Sequence, residues 1–73
     1  MMNTKTDPLI GKLIEKLGDS RPSVRRNAAG ALRLHGRRAA SAVPMLRSLL
    51  DDPDPVVRRE AERALENLRR PAA

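Results

Sequence analysis

Apolar residues return every three to four positions through most of the chain. Leu9, Ile10, Leu13, Ile14 and Leu17 leave Lys12, Glu15 and Lys16 outside, which predicts a helix over 8–17. Asp7 can cap it, Pro8 suits its first position and Gly18 suits its stop. Pro22 opens a second helix with Val24, Ala28, Ala31 and Leu32 inward, His35 on the same stripe and Gly36 at the end. "RRAAS" reads as a connection, after which Ser41 caps a third helix carrying Val43, Leu46, Leu49 and Leu50, with Pro44 in its first turn. Asp54 caps and Pro55 opens a fourth, with Val57, Ala61, Ala64, Leu65 and Leu68 inward. Arg69 and Arg70 complement the carboxyl end of that helix, and Pro71 cannot continue it.

The two halves superimpose at an offset of 33 residues. Ile10 then meets Val43, Leu13 meets Leu46 and Leu17 meets Leu50. Asp19, Pro22, Val24, Arg25 and Arg26 meet Asp52, Pro55, Val57, Arg58 and Arg59; Ala28, Ala31 and Leu32 meet Ala61, Ala64 and Leu65. A period of this size, built of two helices, is a solenoid signature, because one helix pair cannot bury both faces without a neighbour of the same shape. The expected fold is all-α: a right-handed superhelical stack of two helix hairpins, four antiparallel helices in all. Residues 1–6 are expected to fray and 7–70 to form one domain, with a first repeat at about 8–36, a second at about 40–70, and a tail at 71–73.

Composition narrows the chemistry. The 73 residues contain no cysteine and no aromatic residue, so the core must come from Leu, Ile, Val, Met and Ala, without a disulfide or a thiolate metal site. A cysteine-free chain fits a cytoplasmic setting. The apolar runs are too short for a membrane span or a secretory signal. Fifteen basic residues against nine acidic ones leave a net charge of +6, which attracts polyanions and acidic surfaces. Twelve of the fifteen are Arg, suited to bidentate pairing with carboxylate or phosphate.

The order Leu-rich helix, Asp-x-x-Pro-x-Val-Arg, Ala-x-x-Ala-Leu resembles the HEAT-repeat family, closest to the short bacterial HEAT-like repeats that include the phycobilin-lyase type. The residues that carry it are Asp19, Pro22, Val24, Arg25, Ala28, Ala31 and Leu32, then Asp52, Pro55, Val57, Arg58, Ala61, Ala64 and Leu65. "AVPML" at 42–46 is similar to the start of a HEAT first helix. The resemblance implies an α-solenoid that binds protein, and structural pairing of Asp19 with Arg25 and Asp52 with Arg58, within a repeat or across to its neighbour. It does not imply one activity.

Candidate partner-binding residues are Arg26, Arg33, Arg37 and Arg38 from the first helix pair and its following loop, and Arg59 and Arg63 from the last helix. They suit an acidic protein surface. The competing reading is a solvated helix face, with Arg58–Glu62 and Glu66–Arg70 as ordinary i,i+4 pairs. Non-specific duplex nucleic-acid binding is an alternative, since it needs only Lys and Arg. No aromatic platform for single strands is present in the sequence. Further alternatives are an accessory subunit of a lyase-type enzyme, and an excised or artificial repeat array.

Catalysis, cofactors and metals have no support. His35 stands alone, and Asp51, Asp52 and Asp54 read as turn and capping residues. Glu62 and Asn67 stand where the first repeat has Ala29 and Leu34, so the second repeat reads as a more polar, capping end. The wide apolar stripe of helix 8–17 predicts exposed surface there, and self-association through it or its docking onto a larger partner, against a plain monomer.

Overall fold

The computed structural model describes residues 7–69, and every regular element among them is helical. The expected fraying of 1–6, the dipole role of Arg70 with its Glu66 pair, and the tail from Pro71 lie outside the described residues.

Helix α1 spans Pro8–Lys16. Asp7 Oδ1 accepts the Leu9 amide at 2.9 Å, satisfying one of the four orphan donors of the first turn. Helix α2 spans Pro22–His35 and has no side-chain cap; Pro22 removes one donor that would otherwise need a partner. Gly36 stops it at φ +61°, ψ −139°, a conformation only glycine adopts without strain. Helix α3 spans Val43–Ser48 and α4 spans Pro55–Arg69. Asp54 caps α4, its Oδ1 accepting from the amides of Val56 at 2.8 Å and Val57 at 3.3 Å.

The third helical stretch departs from expectation. Gly36–Ala42 forms short 3₁₀ turns broken by a kink at Ala39 (φ −99°, ψ 24°) rather than an open loop, and Leu49–Asp51 closes α3 as a further 3₁₀ turn. Ser41 lies exposed after the kink and caps nothing; Ala42 precedes α3 instead. Ala39, at the kink, and Ala42, at the entry to α3, are both fully buried.

Ile10, Leu17, Leu32, Leu46 and Val57 are the largest fully buried side chains. Ala28, Ala29, Ala39, Ala42, Ala61 and Ala64 fill the space between them. The most extensive packing is α2 on α4, with α1 on α2 and α3 on α4 flanking it. Alanine at these seams lets the backbones approach closely.

Three leucines of the sequence pattern are not core. Leu9 is 53% exposed, Leu34 79% and Leu50 38%. Leu34 therefore does not flank a buried stripe. Its counterpart Asn67 is half-buried and donates through Nδ2 to the Arg33 carbonyl at 2.7 Å, so it faces the first repeat rather than an outer end. Glu62 keeps its expected exposure, whereas Ala29 at the same register is fully buried.

Candidate functional site

The turns before α2 and α4 hold the densest polar contacts of the molecule. Asp19 Oδ1 accepts the Arg21 amide and Asp52 Oδ1 accepts the Asp54 amide, each at 2.9 Å. Both turns are thus closed by the same aspartate two residues back. Above each turn an arginine on the following helix reaches down. Arg25 Nη1 donates to the Asp19 carbonyl and Arg58 Nη1 to the Asp52 carbonyl, each at 2.7 Å. Arg25 and Arg58 thus meet the backbone carbonyl of the aspartate six residues back and not its carboxylate.

The carboxylate contact runs between repeats. Arg25 Nε and Nη2 donate to Asp52 Oδ2 and Oδ1 at 2.7 and 3.0 Å, a bidentate pair spanning 27 residues. Its side chains are 13% and 4% exposed. The hydrogen bonds from Arg25 hold the Asp52 carboxyl below its ordinary range, against the opposing effect of burial. Asp52 also completes its own turn, so one buried carboxylate joins helix α2 to the loop that launches α4.

Among the described residues, Asp19 has no arginine from the second half of the chain. Arg21 folds back on it, Nε to Oδ1 at 2.9 Å and Nη2 to Oδ2 at 3.1 Å, with Arg21 71% exposed. These bonds lower the Asp19 carboxyl to about 2. Arg58 lacks the cross-repeat half of the pattern: among the described residues its only hydrogen bond is to the Asp52 carbonyl. It does not pair with Glu62.

The candidate partner-binding arginines fall into three groups. Arg26, Arg37 and Arg59 are exposed and make no ion pair among the described residues. Arg38 reaches Asp7 at 3.6 Å, and Arg63 reaches Glu60 at 4.0 Å, each an exposed arginine on a half-buried carboxylate at long range, worth little in water. Arg33 is half-buried, not on the open side. Its Nε is buried without a hydrogen-bond partner and its carbonyl is taken by Asn67.

A shallow cleft of about 340 Å³ opens between the first turns of α2 and α4, lined by Pro22, Ser23, Arg26, Asp54 and Val56. Val56 is 42% exposed beside it. Further along, Glu60 lies against α2, its Oε1 3.7 Å from where a β-carbon on Gly30 would sit, an ordinary contact distance. Val56 and Glu60 both shape the surface. They sit at the register of Ser23 and Asn27, and the substitution of charge and bulk at those positions was the only sign of them in the sequence. Among the described residues no group of three acidic or histidine side chains could hold a metal ion, and no helix is long and apolar enough to cross a membrane.

A family model for HEAT repeats matches residues 10–73. The chain belongs to the HEAT-repeat family. HEAT repeats are scaffold-type repeats that commonly mediate protein interaction, and in this chain the buried Arg25–Asp52 bond joins α2 to the turn before α4. Comparison with curated proteins and with solved structures gave no match.

Proposed function

We propose that this HEAT-repeat chain is a non-catalytic protein-interaction module that uses the open side of α2 and α4 to hold an acidic partner. The layout behind this reading is a short solenoid of two stacked hairpins, α1 with α2 and α3 with α4. It is supported by the 33-residue register and by the recurrence of the arginine-to-carbonyl contact in both turns. One observation carries the functional reading: Arg26 and Arg59, at equivalent positions of two packed helices, are exposed and unpaired among the described residues. Beside Arg26 the cleft with Pro22 and Val56 adds apolar surface next to the cation. An acidic segment with an apolar side chain fits such a strip better than a uniform polyanion does. Glu60 and Asp54 reduce the positive potential along the seam, which favours a patterned protein surface over the even charge of a duplex.

Binding of a fluorescently labelled acidic peptide that carries leucines among its glutamates, with polyglutamate and a DNA duplex alongside, tests the reading. Wild type should bind the mixed peptide more tightly than polyglutamate, and Arg26→Glu with Arg59→Glu should abolish that binding, chiefly by slowing association. Equal binding by the double variant refutes the α2–α4 face. Tighter binding to the duplex, lost steeply with salt, would favour the nucleic-acid reading instead.

A further inference from the structure

The contact between the two repeats has two unlike halves, and each half recurs, uncovered, at one end of the molecule. On the receiving side of the second repeat, Leu46, Val57, Ala61 and Ala64 are fully buried and Asp52 takes Arg25. Their counterparts in the first repeat line an open groove of about 380 Å³: Leu13, Val24, Ala28 and Ala31, with Lys16 and Asn27. Val24, Ala31 and Leu13 are only half-buried there, and the Asp19 carboxylate is neutralised by the exposed Arg21 alone.

The donating side repeats in the same way. Leu17 and Leu32 of the first repeat are fully buried, while their counterparts Leu50 and Leu65 are 38% exposed and half-buried. Arg25 is sequestered, while Arg58 is exposed. Yet Arg58 is already posed. It makes the same 2.7 Å bond to its turn carbonyl that Arg25 makes, at the rim of a hollow with Leu50, Pro55, Arg59 and Glu62.

We propose that copies of this chain stack head to tail, the α4 end of one seated in the α1–α2 groove of the next, with Arg58 of the first on the Asp19 carboxylate of the second. The contact continues the interface that already joins the two repeats, and three features favour a second copy as the occupant. Arg58 replaces Arg21 on Asp19, so the carboxylate is never left unpaired. Leu50 loses the exposure that Leu17 lacks. The two charged replacements on the mating ends, Lys16 for Leu49 and Glu62 for Ala29, are of opposite sign. Self-association predicted through helix 8–17 is thereby relocated: that helix supplies Leu13 and Lys16, but the seat is its groove with α2. Because the two mating surfaces differ, the contact does not close on itself and assembly is open-ended. The proposal rests on the stacked-hairpin layout and not on the acidic-partner reading.

Molar mass by sedimentation, from about 10 μM to about 1 mM, tests it. Wild type should pass beyond two copies without a plateau. Arg58→Glu and Asp19→Arg should each be monomeric, since each sets like charges against one another at the joint. An equimolar mixture should restore assembly, because the intact Arg58 end of one variant meets the intact Asp19 end of the other and the two reversed charges are again opposite in sign. Val24→Glu, which charges the groove without touching the turn, should block assembly as Asp19→Arg does; far-ultraviolet circular dichroism shows which variants are folded. A wild type that stays monomeric throughout, or stops at two copies, overturns the proposal, as does a mixture of folded variants that restores nothing. A monomeric wild type that is still destabilised by Asp52→Asn would leave the stacked layout standing and remove only the docking.

Discussion

Replacing Asp52 with asparagine changes one oxygen to an NH₂ at the joint between the repeats, with almost no change of volume. The carboxylate accepts three hydrogen bonds: two from Arg25 at 2.7 and 3.0 Å and one from the Asp54 amide at 2.9 Å. Asparagine keeps one carbonyl oxygen, enough for the turn. Its NH₂ then faces an Arg25 N–H, donor against donor, and the guanidinium keeps its charge at a site where its side chain is 13% exposed. Hydrogen bonds to charged groups contribute roughly 1.5–3 kcal/mol, and breaking a fully buried pair costs roughly 3–5 kcal/mol. Partial access of water to Arg25 sets the expected loss at about 2–4 kcal/mol. A chain of this length has roughly 4–11 kcal/mol in total, so the loss is a large share of it.

Urea unfolding followed by far-ultraviolet circular dichroism measures this, with Asp19→Asn as the internal comparison. Asp19 makes the same turn and an equally bidentate arginine pair, but with an exposed partner, so its replacement should shift the midpoint far less. Equal shifts for the two variants would refute the claim that burial across the joint makes the Arg25 pair important. Acid gives a second reading of the same bond. Both aspartates are lowered in the folded state, Asp19 to about 2 from 3.8 and Asp52 in the same direction. Groups lowered on folding add stability above their unfolded pKa and lose it as pH falls through the folded one. Stability should therefore hold down to about pH 4 and fall towards about pH 2, and the fall should be shallower in Asp52→Asn. Parallel curves for the two proteins would assign the acid response to other carboxylates.

Two further pairs separate backbone and packing effects by the same urea assay. Gly36→Ala forces a β-carbon onto φ +61°, ψ −139° and should cost about 1–3 kcal/mol, whereas Gly11→Ala, in α1 with open space around it, should stabilise by about 0.5–1 kcal/mol. A neutral Gly36→Ala would show that the turn relaxes freely. Leu32→Ala, at a fully buried position, should cost about 2–5 kcal/mol. Leu34→Ala, two residues on and 79% exposed, should leave the midpoint nearly unchanged; a comparable loss there would mean that Leu34 is covered in solution.

Helix starts and stops were readable from the chain because their physics is local. Pro8, Pro22 and Pro55 at first helical positions, Asp7 and Asp54 as caps, and Gly36 at a stop act through neighbours within a few residues. The 33-residue register was equally plain, since segments that bury like faces need like sequences. The family followed from it. Three things required the tertiary structure. The stretch around Ser41 became 3₁₀ turns kinked at Ala39, with Ala39 and Ala42 both buried in the core, a demand set by the helices around them. Leu34 and Leu9 carry the right residue type but point to water, because the width of a buried stripe depends on what packs against it. Most of all, the aspartates and arginines of the repeat were visible in sequence while their partners were not. An arginine side chain is long enough to reach its own turn or the next one, and only the stacking of α2 on α4 brings the Asp52 carboxylate within 2.7 Å of Arg25 while leaving Asp19 to Arg21.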